Sequence, residues 1–230
     1  MKKHTFYSEM AYIIGLFMLA FGTALMSRGG FGVSMVVAPA YILHLKLSRY
    51  FSFFSFGFAE YLLQAVILII MMLILKRVRV IYFLTFITTI IYGALLDLAM
   101  IILPQIASDR YALRIGVYIT GTMLCTAAIS LLFKTYLPPA AYEVFVKNVS
   151  QKLKISLFAF KTGFDISFCV LAAVLSLLFF GKIQGVGIGT AICALIYGGL
   201  IALFTRLLEH FFTFENAFSF KIFKEGEGKQ

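Results

Sequence analysis

The sequence predicts an all-α, polytopic membrane protein with six transmembrane helices, built as two inverted three-helix repeats that each carry a short re-entrant or interfacial helix. Three observations predict it. Hydrophobic residues make up 62% of the 230 and charged residues 13%, against about 45–50% and about 25% in a soluble domain. Apolar runs recur along the chain, each long enough at about 1.5 Å per residue to cross a hydrocarbon core of about 30 Å. Finally, the two halves share a pattern of residues at nearly constant offset.

The six runs are approximately 10–27, 52–75, 80–103, 112–133, 157–180 and 185–206. The first follows Lys2 and Lys3 and contains Gly22-Thr23-Ala24, as a cleaved leader would, but Glu9 and the length of the run favour a retained helix. Aromatic residues from Tyr50 to Phe58 open the second run and are expected to face lipid. Two further segments, 29–46 and 137–152, are apolar but short and interrupted, the first by Gly29-Gly30-Phe31-Gly32-Val33-Ser34 and the second by Pro138-Pro139. Both are expected to be re-entrant half-helices or helices lying in the interface.

Orientation follows from the basic residues. With the N-terminus inside, the cytoplasmic loops and ends hold 14 Lys and Arg and the other side holds Arg28, Lys46, Arg49, Arg110, Arg114 and Lys182. That excess places both termini in the cytoplasm. Counting the short segments as full spans would send Lys76, Arg77 and Arg79 outside, against the same rule. The net charge of +10 is therefore accounted for by loops facing the cytoplasm, and no nucleic-acid partner is expected. Nearly all of the chain is consumed by spans, so residues 1–230 form one membrane domain: a first repeat over 1–106, a second over 107–220 and a flexible cytoplasmic tail over 221–230.

The repeat is visible in the residues themselves. Ile91-Tyr92-Gly93-Ala94-Leu95 matches Ile196-Tyr197-Gly198-Gly199-Leu200, and at the same offset Thr85 meets Thr190 and Glu60 meets Asp165. A slightly shorter offset aligns Gly15 with Gly116 and Ala40-Tyr41 with Ala141-Tyr142, each of the latter pairs lying just after a proline. Three full spans per half is an odd number, so the second half enters the membrane upside down, a construction common in secondary transporters.

Gly29-Gly30-Phe31-Gly32-Val33-Ser34, Tyr136-Leu137-Pro138-Pro139-Ala140-Ala141-Tyr142 and Gly185-Val186-Gly187-Ile188-Gly189-Thr190 follow one another in an order and spacing, over about residues 10–208, that resemble the YczE/YitT type of bacterial integral membrane proteins. The resemblance implies a multi-pass protein of the bacterial cytoplasmic membrane with no settled biochemical activity. It carries over no catalytic residue.

Charged groups at membrane depth cost about 2.5–3.5 kcal/mol on insertion scales and are functional candidates by default. Glu60 and Asp165 qualify: in an inverted arrangement both approach the midplane, where two carboxylates can bind a cation or exchange protons. Gln64, one turn beyond Glu60, is a further polar ligand. Locally, Lys161 stands four residues before Asp165, close enough to pair with it. Asp97 is expected to pair with Arg110 or Arg114, and Glu143 to be interfacial. Gly29, Gly30 and Gly32 offer backbone amides at a turn entering a broken helix, whereas Gly181, Gly185 and Gly189, like Ala20 and Ala24, are spaced for helix packing.

His4, His44 and His210 are scattered, and Cys125, Cys169 and Cys193 fall inside spans without metal-ligand spacing. No metal, cofactor or enzymatic constellation is expected. The leading expectation is a secondary transporter or permease for a small solute or cation, with the lipid bilayer as its surroundings. The alternatives are a substrate-binding subunit of a multicomponent transporter, docking a partner subunit through Ala20 and Ala24, and a non-transporting accessory protein. Assembly as a homo-oligomer is compatible with any of the three.

Overall fold

Helix α1, Ser8–Gly29, organises the packing because a small residue stands at every seventh position: Ser8, Gly15, Gly22 and Gly29 are all buried. Seven residues are nearly two turns, so these positions form one seam along the helix. Helix α5, Tyr111–Leu132, lies antiparallel in that seam. An added methyl group on Gly15 would stand 2.9 Å from the Leu132 side chain, one on Gly22 2.9 Å from the Gly121 carbonyl oxygen, and one on Gly29 2.9 Å from Tyr118. Gly121 returns the approach, since a methyl group added there would stand 2.7 Å from the Gly22 carbonyl oxygen. Small residues let helix backbones meet where lipid offers no hydrophobic drive.

The computed structural model describes residues 4–107 and 109–216, with the backbone alone for His4 and Phe158. The expected tail over 221–230, with Lys2 and Lys3, lies outside the described residues. Eight helices are present among those described: α1; α2, Ala38–Leu47; α3, Phe56–Leu75; α4, Val80–Ile102; α5; α6, Ala141–Leu153; α7, Leu157–Phe180; and α8, Ile188–Phe211. Six of them are long and apolar enough to cross a membrane, and α2 and α6 are not among them. Two short strands, β1 at His4–Tyr7 and β2 at Phe212–Glu215, pair in parallel with His4 opposite Phe212. This pair, absent from the all-α expectation, ties the start of α1 to the end of α8. The two ends of the bundle are called here the strand end and the far end.

Local chemistry sets the boundaries. Gly29 and Gly30 finish α1, since Gly30 adopts φ 73 and its N–H caps Ser27 O, a left-handed turn that glycine makes without steric cost. Helix α2 begins only at Ala38, with Pro39 in its first turn, where a missing N–H costs nothing. Helix α3 starts at Phe56 rather than at 52, because the Ser55 hydroxyl caps it by accepting from Phe58 N. The aromatic cluster before it divides accordingly: Tyr50, Phe51 and Phe53 are exposed, while Phe54 and Phe56 are buried in the core.

The helix neighbours follow a pattern. Helix α1 touches α4 as α5 touches α8, and α1 and α5 form the central pair. Both short helices lie against α3 and α7, α2 at one end and α6 at the other. One joint breaks the pattern. Helices α3 and α4 pack closely, Gly57 against Gly93, such that a methyl group on Gly57 would stand 1.9 Å from the Gly93 carbonyl oxygen. By contrast, α7 makes almost no contact with α8, and Gly163, Gly198 and Gly199 have open space where a side chain would be.

Two packing expectations change. Ala20 and Ala24 are fully buried in the core beside Tyr92 and Leu96 of α4, so they offer no face to a partner subunit. Gly181, Gly185 and Gly189 do not form one helical stripe: Gly181 caps α7 at φ 65, Gly185 turns the following loop at φ 75, and Gly189 alone lies in α8.

Candidate functional site: a buried carboxyl group beside the start of α6

Glu60 and Gln64 sit one turn apart on α3 and both are wholly buried. Their bonding is determined by groups that have no choice of role. The Ala141 N–H, which can only donate, reaches Gln64 Oε1 at 3.0 Å, and Thr89 Oγ1 on α4 lies 3.0 Å from the same oxygen. That fixes the orientation of the amide, so the Gln64 nitrogen must donate, and it does so to Glu60 Oε1 at 3.1 Å. The second carboxyl oxygen, Glu60 Oε2, is buried with no hydrogen-bond partner. Buried polar atoms are satisfied in the large majority of cases, and an exception calls for an explanation.

The first turn of α6 completes the surroundings. Tyr142 is 5% exposed, and its hydroxyl, also without a hydrogen bond, lies beside the Glu60 carboxyl. Glu143 Oε2 is a third buried oxygen without a partner, and Glu143 stands within electrostatic reach of Glu60, Tyr142 and Tyr92. A small pocket of about 10 Å³ borders Glu143, lined also by Leu19, Ile129, Leu132, Phe133, Pro139 and Ala140. That is room for about one water molecule.

How α6 arrives there is set by the loop before it. Tyr136 N donates to Ser8 Oγ at 3.2 Å and the Tyr136 hydroxyl to Glu9 Oε1 at 2.6 Å, at the strand end. Desolvation, then the neighbouring Glu9 carboxylate, push the Tyr136 phenol up to about 12, so it remains a donor at neutral pH. The chain then turns inward, with the Pro138 carbonyl 3.4 Å from Thr88 Oγ1, and Thr88 is also bonded to Tyr12 of α1. Helix α6 therefore starts beside Gln64, the ninth of twenty residues in α3, and returns to the strand end, where Lys152 Nζ donates to Ile74 O.

Of the expected site residues, Glu60 and Gln64 are brought together. Glu60 lies five residues into α3, so nearer a helix end than a run beginning at 52 implies. Asp165 is occupied locally, with Lys161 Nζ 3.1 Å from its Oδ1, and both members of that pair are within electrostatic reach of Glu143. The acid next to Glu60 is thus Glu143, in the short helix where the sequence places an interfacial residue.

The glycines do something else. Gly29 and Gly30 have their carbonyls capped by Arg114, at 3.0 and 3.4 Å. The loop that follows packs on the loop before α8: Val33 N donates to Gly185 O at 3.3 Å, Gly189 N to Phe31 O at 3.0 Å, and Thr190 Oγ1 to Val33 O at 2.8 Å. Gly32, at φ 103, lies where a methyl group would stand 2.2 Å from Thr190 Oγ1. These positions are explained by backbone closeness between the two loops.

Asp97 has a structural role with partners other than the expected arginines. It accepts from the Ser55 hydroxyl and from Gly57 N at 2.6 Å, which holds an anion on the N-terminus of α3. Among the described residues no group of three His, Cys, Asp or Glu side chains is placed to hold a metal ion. The signal for Tyr142 was present in the repeat, as the tyrosine of Ala141-Tyr142, but its meeting with Glu60 depends on how deep α6 reaches. No local pattern reports that.

The profile of a family of unknown function, DUF6198, matches residues 6–206, and the chain belongs to that family. No curated protein and no solved structure matches it.

Proposed function

As a member of a family without an assigned activity, this multi-pass membrane protein has to be read from its own site, and we propose that it is a secondary transporter or permease for a small solute, with Glu60 as its proton- or cation-exchanging group. The observation that carries this is Glu60 itself: a wholly buried carboxyl group with one hydrogen bond of normal geometry, from Gln64, and otherwise only the Tyr142 hydroxyl beside it. An ionised carboxylate there would be a buried charge without a counter-ion, which proteins avoid by protonation or by binding a cation. A group of this kind changes occupant when the surrounding helices move.

The helix neighbours support two inverted repeats, with α1 to α4 corresponding to α5 to α8. The central pair is α1 with α5, the outer pairs α1–α4 and α5–α8 are equivalent, and the two short helices take equivalent places between α3 and α7. Helix α6 supports the re-entrant alternative, since it starts halfway along α3 and returns to the end from which it came. One hairpin closed and the other open is the asymmetry expected of alternating access between inverted repeats. Parallel pairing of β1 with β2 puts the two ends of the described chain on one side, and the basic residues make that side cytoplasmic. The resemblance to YczE/YitT proteins agrees with a bacterial cytoplasmic membrane.

The test is solute-induced charge movement recorded from purified protein on a supported membrane against a panel of small cations, amines and amino acids. The expected outcome is a response in the wild type that disappears in Glu60→Gln at equal protein density. A Glu60→Gln protein that responds as the wild type does removes Glu60 from the function.

A further inference from the structure

Three buried polar atoms without hydrogen-bond partners lie at one place: Glu60 Oε2, the Tyr142 hydroxyl and Glu143 Oε2. Each is a group able to hold or pass a proton, and they come from two elements, α3 and α6, that the Ala141 N–H bond to Gln64 also joins. Continuing from Glu143, the next titratable groups are Lys161 and Asp165 on α7. The side chains of that pair are 37% and 16% exposed, respectively, so the line ends in contact with the surroundings. Glu60 at the other terminus is sealed, with Gln64, Tyr92, Tyr142 and Glu143 as its polar neighbours.

We propose that Tyr142 and Glu143 form a proton relay that connects Glu60 with the Lys161–Asp165 pair. The inference rests on the reading of Glu60 as an exchanging group and adds the ion and its route. A proton leaving Glu60 Oε2 is taken by the Tyr142 oxygen as that hydroxyl releases its own proton to Glu143 Oε2. Glu143 passes one on to Asp165, which releases it to the surroundings, so Tyr142, Glu143 and Asp165 each end with the number of protons they began with and Glu60 alone has lost one, becoming the carboxylate. The small cavity beside Glu143 admits about one water to bridge a step too long for direct transfer. Lys161 holds Asp165 in place at 3.1 Å and stabilises the negative charge that a departing proton leaves behind. The start of α6 lies on this line, so movement of the short helix would make or break it.

Infrared difference spectroscopy on the full chain in lipid reads the relay without any knowledge of the solute. The Glu60 acid carbonyl is identified as the protonated-carboxyl band missing in Glu60→Gln, and its downshift after transfer to D2O gives an exchange rate. Glu143→Gln and Tyr142→Phe are each expected to slow that exchange by about tenfold or more, the scale of losing a positioned proton carrier. Glu143→Asp, which keeps an acid in place, is expected to recover most of the rate. Tyr142→Phe removes a single hydroxyl, so it keeps the test open if Glu143→Gln fails to fold. Wild-type exchange in both variants overturns the relay and leaves Glu60 as the exchanging group. If no Glu60-dependent band is found at any pH, Glu60 carries no exchangeable proton and the relay falls, which leaves only a cation as the species exchanged there.

Discussion

Hairpin α3–α4 and hairpin α7–α8, which the proposed repeat would align, are packed in opposite ways. In the first, Gly57 and Gly93 bring the backbones into contact, and Asp97 of α4 caps the start of α3 across the same crossing. In the second, the residue matching Gly93 is Gly198, with nothing near it, and the residue matching Asp97 is Ala202. Burial tells the same story, with 33% of the apolar window of α3 and 39% of that of α4 buried, but only 11% for α7 and 17% for α8. A closed and an open hairpin thus stand in one molecule, and closure goes with a few residues, Gly57, Gly93 and Asp97, at the first crossing. The closed half carries the sealed carboxyl, and the open half carries the carboxyl paired to a lysine within reach of the surroundings.

The largest effect belongs to the closed crossing. Gly57→Ala puts a methyl group 1.9 Å from the Gly93 carbonyl oxygen, so α3 and α4 must separate, at a cost of about 3 kcal/mol. Gly198→Ala meets open space and replaces a poor helix former, for a gain of up to about 1 kcal/mol. Reversible unfolding in mixed detergent micelles measures both. Equal losses at the two positions would mean that α7 and α8 close in solution and that the asymmetry is not a property of the resting protein.

Next comes the cap. Asp97→Ala removes two acceptors from the start of α3, those for the Ser55 hydroxyl and Gly57 N, for a loss of about 2 kcal/mol. Ser156→Ala in the other half removes only the bond from Ala159 N at 3.3 Å, about 1 kcal/mol. Ser55 and Ser156 cap the starts of α3 and α7 in the same way, so a larger loss for Asp97→Ala isolates what the anion adds to a hydroxyl cap. Matching losses would show that the extra anion contributes nothing to the closed hairpin.

The parts that were legible in the sequence and the parts that were not separate along physical lines. Six spans follow from hydrophobic length, a one-dimensional property, and Glu60 stands out because an acid in an apolar run is costly. Gln64 follows from helix geometry, one turn away. The seven-residue spacing of Ser8, Gly15, Gly22 and Gly29 is also present in the sequence, beside the closer pair Ala20 and Ala24, which faces the core as well, toward α4. Contacts across distant segments are different in kind. That Asp97 caps α3, that Gly57 meets Gly93 and that Tyr142 reaches Glu60 all depend on the crossing and depth of helices, which no local pattern encodes. Glu143 is the clearest case: with lysines around it in sequence it reads as interfacial, and the turn of α6 aims its Oε2 inward.

The smallest effect concerns the two acids that the repeat aligns. Asp165→Asn leaves Lys161 without its partner, but the pair is partly exposed and spaced i to i+4, so its loss costs about 0.5 kcal/mol and less in high salt. Glu60→Gln keeps shape and the acceptor for Gln64 while removing the proton that a buried carboxyl must hold, and its stability should also stay within about 0.5 kcal/mol of the wild type. Unfolding curves at low and high salt separate the two: only the Asp165→Asn difference should shrink as salt rises. A Glu60→Gln protein destabilised by several kcal/mol, with a difference that salt does not touch, would show that the carboxyl is ionised and held by a bound cation. The exchanging species at Glu60 would then be that cation, and the proton route through Tyr142 and Glu143 would have to be abandoned.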